Sequence, residues 1–365
     1  MDALGRERLA RYSLVGPQGA LAESSGLTGA QWFRSDVARR RMKELMRRED
    51  GPAIRDTALW VGLMAVSGVL GALCWVAGGA WALLAVPCFG VYGVLYGSGG
   101  DSRWHEGGHG TAFRTRWMSN LVYQLGSFMM MRDPTVFRWG HTRHHTDTLI
   151  VGRDPEIQAM RPVRLARVLA NLFGLYDVPV AFWHLLLHAR GRLDPEEATF
   201  VPEQERAKVY RTARIWMVIY LATAVACVLT GSVLPMMFIG GPRIYGTFMH
   251  VIYGLTQHAG MGENVLDHRL NTRTVRMGRI NRFIYWNMNY HVEHHMFPMV
   301  PYHRLPELHK EIRHDLAPAY PSIWAAYREI VPAVLRQLRD PSYYVRRELP
   351  EGAAPFHEGQ PALAD

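Results

Sequence analysis

Three long stretches of this 365-residue chain lack any Asp, Glu, Lys or Arg: residues 57–100, 215–242 and 244–262, of 44, 28 and 19 residues. One helix across a bilayer uses about 20 residues. The first stretch therefore fits two spans and the others one each, at about 57–76, 81–100, 215–234 and 244–262. Blocks this free of charge argue against a soluble fold. Cysteine is scarce as well. Cys74, Cys88 and Cys227 all lie inside uncharged stretches with no C-x-x-C pair, which excludes a disulfide framework and thiolate metal sites. No short apolar stretch with a small-residue cleavage site follows Met1, so no removed signal peptide is expected. No repeat of fixed period is present.

Each half of the apolar material has a turn signal, Ala77-Gly78-Gly79-Ala80 in one and Pro235 to Pro242 with Gly240-Gly241 in the other. The expected fold is all-α and polytopic: four transmembrane helices in two hairpins, with a helical cytoplasmic cap. With the amino terminus inside, 40 of the 41 basic residues fall on the cytoplasmic side, Arg243 in an outer turn being the exception. The net charge of +9 then reflects segments such as Arg39–Arg48 facing an anionic leaflet, and nucleic-acid binding is not expected. Three parts are expected. Residues 1–56 form a cytoplasmic amphipathic segment, with a helix over 28–55 on the membrane. Residues 57–320 form the membrane domain, and 321–365 a helix and a tail that is mobile from Pro341. Trp117 to Met131 is uncharged but too short to span.

Seventeen histidines are present, and eight form three compact clusters: His105 with His109, His141 with His144 and His145, and His291 with His294 and His295. On a helix, positions i, i+3 and i+4 share a face, so each cluster is expected to aim its imidazoles at one point. A lone H-x-x-x-H is a weak signal, but two H-x-x-H-H clusters beside it make a metal site the expected reading. Eight imidazoles exceed what one ion uses, which predicts a di-metal site in the cap. His258, near the inner end of the fourth span, is a ninth candidate ligand. Asp101, Glu106, Asp147, Asp154, Asn287, Asn289 and Glu293 are candidates to orient the rings through their second nitrogens. His250 reads as a packing or channel residue, and His184 with His188 as part of an interfacial helix. His268, His303, His309, His314 and His357 lack a partner cluster.

The order H-x-x-x-H, H-x-x-H-H, H-x-x-H-H around a hydrophobic hairpin resembles the membrane fatty acid desaturase and hydroxylase superfamily. His291-Val-Glu-His-His-Met-Phe-Pro resembles its third histidine box in detail. Gly110-Thr-Ala-Phe, Arg138-Trp-Gly-His141, Gly152-Arg-Asp-Pro-Glu156 and Asp267-His-Arg-Leu-Asn-Thr-Arg273 are similar to a bacterial branch that includes an oxygenase of rhizopine catabolism. The resemblance covers roughly residues 55–320. It implies two iron ions held by the boxed histidines, with His258 at the place where the family supplies one further ligand, and O2 as co-substrate. The implied reaction is desaturation or hydroxylation of an unactivated C–H bond, on a fatty acyl or other lipid chain. Hydroxylation or O-demethylation of a small non-lipid molecule is the alternative.

No His-Pro-Gly-Gly haem signature, four-cysteine cluster or nucleotide-binding G-x-G-x-x-G is present, so a separate ferredoxin or cytochrome b5 type carrier, with its reductase, is expected to supply electrons. It would dock on the basic cytoplasmic face. The expected location is a bacterial inner membrane, with both termini and the metal site cytoplasmic. A membrane zinc hydrolase would leave five boxed histidines unexplained, and a metal transporter would line its spans with ligands.

Overall fold

Gly78 and Gly79, at φ of 66° and 53°, turn the chain between a helix over Asp50–Ala77 and another over Trp81–Gly97. Only glycine adopts such angles without cost, so the expected turn falls where the paired glycines place it. The two helices pack through small residues: a Cβ on Gly71 would sit 3.1 Å from the ring of Phe89, and one on Gly68 3.0 Å from Tyr92. Their outer faces leave Val76 (74%), Leu83 (74%) and Val86 (71%) exposed, a surface suited to lipid. This computed structural model describes residues 3–357. Among these residues every regular element is helical, apart from isolated bridges pairing Thr274 with Tyr290 and Val275 with Tyr320.

Among the described residues, three helical stretches are long and apolar enough to cross a membrane: Arg39–Ala77, Trp81–His109 and Glu203–Thr230. The fourth expected span, 244–262, is not a single helix of that kind. The chain leaves Thr230 through Gly231 (φ 58°) and continues as three short helices, Leu234–Phe238, Pro242–Tyr245 and Phe248–His258. Pro235, Gly240, Gly241, Pro242 and Gly246 interrupt the backbone ladder, so absence of charge did not mean helical continuity. These pieces pack along the Trp81–Gly97 helix. Phe238 meets Tyr92 edge-on at 5.3 Å, and Gly246 lies so close to Gly93 that an added Cβ would be 1.9 Å from the Gly93 carbonyl oxygen. Arg243, expected in an outer turn, is buried, and its guanidinium donates to the Gly97 carbonyl (3.3 Å) and Thr247 Oγ1 (2.9 Å).

Two further expectations change. Within the helix expected over 28–55, only Arg39–Leu45 is helical before Asp50, and residues 30–38 have no regular structure; Ala3–Ala10 and Gln18–Ser24 are short helices upstream of it. Trp32 Nε1 donates to the Thr146 carbonyl (3.0 Å), the Phe33 amide donates to Leu266 (3.0 Å), and Leu45 is fully buried in the main core. Bonds to the segments around Thr146 and Leu266 hold this part of the chain. The carboxyl-terminal part also docks: after a helix over Ile323–Gln337, the Val345 amide donates to Gly260 (2.9 Å), and Val345 is buried with Met261 and Ala333. The last part of the tail expected to be mobile, 358–365, lies outside the described residues.

Candidate metal centre

Each histidine cluster sits on a short helix with a defined end. The first lies on Gly99–His109, stopped by Gly110 at φ 64°. The second lies on Pro134–Thr146, where Pro134 occupies the first turn and Asp133 caps it, accepting from the amides of Thr135 (2.8 Å) and Val136 (3.0 Å). The third lies on His291–Met296, and His258 ends the last short apolar helix. The structure brings all nine candidate imidazoles into one region.

They do not converge on one point per cluster. Ligand nitrogens of His105, His109, His141, His145 and His294 lie within 4.8 Å of one another, as do those of His144, His258 and His295. His291 Nε2 stands 3.2 Å from His258 Nε2 and 3.1 Å from His295 Nε2, beside the second group. The second and third clusters are thus split. Residues i+3 and i+4 lie about 100° apart around a helix, so adjacent histidines aim at different groups, and the expectation of one aim per cluster gives way to two shared centres.

The donor set fits metal ions. His258 Nδ1 lies 3.0 Å from the Asn271 carbonyl, which can only accept, so that nitrogen carries the proton and Nε2 is a bare lone pair. His141 Nδ1 lies 3.1 Å from both oxygens of Glu156, and His144 Nδ1 2.9 Å from both oxygens of Asp154. Meanwhile Nε2 of His141 faces Nε2 of His109 (2.9 Å) and of His145 (3.1 Å), and His105 Nε2 faces His294 Nε2 (2.9 Å). The bare Nε2 of His141 is thus turned toward neighbouring ring nitrogens, an arrangement in which a cation would find several lone pairs. Burial, with the neighbouring imidazoles adding to it, holds His141, His145, His291, His294 and His295 well below the usual histidine range. They are neutral, as ligation requires. Burial acts the same way on His144, but Asp154 outweighs it and holds that ring up to about 9, so ligation through this ring would release a proton. Glu156 is pushed up to about 7 by burial.

Of the seven orienting candidates, Asp154 is the one bonded to a clustered imidazole. Asp101 pairs with His250 (3.1 Å), Glu106 accepts from Thr111 and the Tyr302 amide, and Asp147 takes Arg153. Glu293 accepts from Thr274 Oγ1 (2.5 Å) and contacts His309, Asn287 bonds Arg282 and Tyr302, and Asn289 donates to Val275. The sequence reading missed Glu156 as an orienting group. Its signal was a second carboxylate two residues beyond Asp154 in Gly152-Arg-Asp-Pro-Glu156. Among the residues read as non-ligands, His268 is buried against Trp32, ring to ring at 4.3 Å, and lies 5.1 Å from the His295 ring. A cavity of about 420 Å³ opens beside the centre and is lined by His105, His144 and His250 together with Trp104, Phe137 and Leu255.

The family model for fatty acid desaturase matches residues 79–327, which contain all nine imidazoles. The Delta(5) fatty acid desaturase fat-4 of Caenorhabditis elegans is 26% identical over 232 residues, 55% of this chain and 51% of the relative. The chain therefore spans about half the length of the curated relative it matches. With the family match covering most of the chain and enclosing both groups of histidines, this protein belongs to the fatty acid desaturase family.

Proposed function

We propose that the chain is an O2-dependent, non-haem di-iron membrane oxidoreductase that desaturates or hydroxylates an unactivated C–H bond of a fatty acyl or other lipid chain. The observation that supports this most directly is the pair of imidazole groups whose ligand nitrogens gather within 4.8 Å of one another, with His291 beside the second. His105, His109, His141, His145 and His294 would hold one iron, and His144, His258, His291 and His295 the other. Such a pair, when bound, supplies the activation of O2 and the oxidising power to remove a hydrogen atom.

The protein's own part is positioning. Glu156, Asp154 and the Asn271 carbonyl fix three rings in the tautomer that points Nε2 inward. Trp104, Phe137 and Leu255 give the cavity apolar wall against which a reacting carbon chain would lie next to His105 and His144. The relative's Δ5 fatty acid activity supports an acyl substrate. In the orientation we propose, residues 231–258 make a broken fourth crossing of a bacterial inner membrane, and the cap, centre and both termini are cytoplasmic. A separate ferredoxin or cytochrome b5 type carrier would deliver electrons at the basic face.

One observation favours a second substrate class. The cavity wall also carries Asp101, Arg132, Glu156, Asp177 and Arg243, an unusual lining for an acyl chain and a suitable one for a small polar molecule. Metal content of detergent-purified protein tests the metal reading, with His144→Ala and His294→Ala probing the two groups separately. About two irons per chain, with about one lost in each variant, is the expected result. One zinc unaffected by either change would replace the oxidoreductase with a zinc hydrolase. Incubation with reductant and O2, and mass analysis of offered acyl lipids and polar small molecules, then separates the two substrate classes.

A further inference from the structure

A third set of potential ligands lies outside both histidine groups. His184 and His188, one turn apart on the helix Asp177–Ala189, meet Glu197 from the short 3-10 turn that follows. His184 Nδ1 lies 2.8 Å from Glu197 Oε1 and His188 Nε2 2.7 Å from Oε2, and one ligand atom from each residue falls within 4.8 Å of the others. His188 and Glu197 are buried. Two imidazoles bonded to one carboxylate would by themselves make a closed clamp.

Asp133 does not fit a simple clamp. It is 9% exposed, its Oδ1 caps the second-cluster helix, and its Oδ2 is buried with no hydrogen-bond partner. It stands on the same cavity wall as His184, His188 and Glu197. A buried carboxylate oxygen without a partner, on the same wall as a carboxylate and two imidazoles, offers donor atoms that a divalent cation would satisfy. Two imidazoles and carboxylate oxygen, without thiolate, suit borderline first-row ions such as Zn²⁺ or Fe²⁺. All four residues line the same cavity as His105 and His144, so an ion there would have open positions toward that space.

We propose that His184, His188 and Glu197, with Asp133 beside them, form a third metal site on the cavity wall that binds one divalent first-row transition ion. The site stands apart from the di-metal reading, because it shares no ligand with either histidine group. An ion there would tie the 177–199 segment to the start of the second-cluster helix.

The test is metal stoichiometry of the full-length protein in detergent, after loading in separate arms with Zn²⁺ or Fe²⁺ alone. The parent is expected to bind one ion more than the two histidine groups take, and the arm that fills it identifies the metal. Glu197→Gln, which keeps shape and a hydrogen-bond acceptor, and His188→Ala should each lose about one equivalent. His294→Ala should lose its own ion and keep this one. Loading with Co²⁺ adds a readout independent of total metal: visible absorption in the parent that is reduced in Glu197→Gln. Unchanged stoichiometry and unchanged Co²⁺ absorption in Glu197→Gln would overturn the proposal and leave a hydrogen-bonded clamp. A parent holding no ion beyond the two groups overturns it equally. Failure of the di-metal reading instead appears as loss of response in His294→Ala with the Glu197 response intact.

Discussion

Glu156 holds both carboxylate oxygens 3.1 Å from Nδ1 of His141, fifteen residues before it in the chain. The contact fixes the ring so that its other nitrogen faces His109 and His145. Partners of this kind typically contribute 10- to 100-fold to metal affinity. Glu156→Gln is expected to weaken binding at the His105–His294 group by about that factor. The second group, whose His144 is held by Asp154, should be almost unaffected. Chelator competition in the parent, Glu156→Gln and Asp154→Asn checks this. Equal weakening of both groups by either change would show that the two carboxylates do not act on separate centres.

Gly246 concerns the fold. A Cβ there would sit 1.9 Å from the Gly93 oxygen and 2.0 Å from its carbonyl carbon, and neither backbone atom can swing away. Gly246→Ala is expected to separate the broken segment from the second long helix. The cost is about 3 kcal/mol or more, the upper end of ordinary overpacking. A fall in thermal midpoint of purified protein is the readout, and a parent-like midpoint would refute the contact.

Arg103 is fully buried, with its guanidinium carbon 4.9 Å from the ring of Trp60 and 5.0 Å from that of Trp286. It donates to the carbonyls of Gly99 (3.0 Å), Ile284 (2.8 Å) and Phe283 (3.1 Å). The arginine thus joins the first-cluster helix to the segment leading into the third. Lysine keeps the charge but not the planar fork, so Arg103→Lys should lose at least one charged hydrogen bond and about 2 kcal/mol of stability. Thermal unfolding together with retained metal measures it. Full stability and full metal loading would mean that the fork is dispensable.

Asp177 predicts a response to acid. Burial alone would raise its carboxyl pKa, yet the charges of Arg132, Arg243 and His250 and the bond from Asn171 outweigh burial and leave it below the ordinary value. A depressed carboxyl stabilises the fold above its unfolded value, about 3.9 for aspartate, and that contribution disappears as pH falls through the folded value. Asp177→Asn should therefore unfold at lower denaturant concentration than the parent at neutral pH, and the gap should close on acidification below about pH 4. A gap that stays constant down to pH 3 would contradict this linkage.

Much of the architecture was legible because it depends on local composition. The charge-free stretch 57–100 with its paired glycines specified the first hairpin, and the histidine spacings marked the residues that converge. What depends on partners was not legible. Spacing places His144 and His145 on one helix, but only the packing of three other segments decides that they face different groups. The stretch 244–262 has the length of a span, while the prolines and glycines before it and the tight seat against Gly93 break its approach into short helices. Glu197 and Asp133 gave no signal, since only the fold brings them to the same cavity wall as His188.

The split of the clusters between two groups also sets an order of events during synthesis. Five of the nine imidazoles have left the ribosome once His145 emerges, yet one group lacks His294 and the other lacks His258, His291 and His295. Those residues appear 113 to 150 positions later, on the order of ten seconds or more at ~5–20 residues per second. For that interval the nascent chain carries half-built sites, with neutral imidazoles available to any passing ion. Neither group can close before almost the whole cap has been translated. Correct metal capture is therefore an event of the finished chain, and the cell must keep wrong metals from the unfinished one.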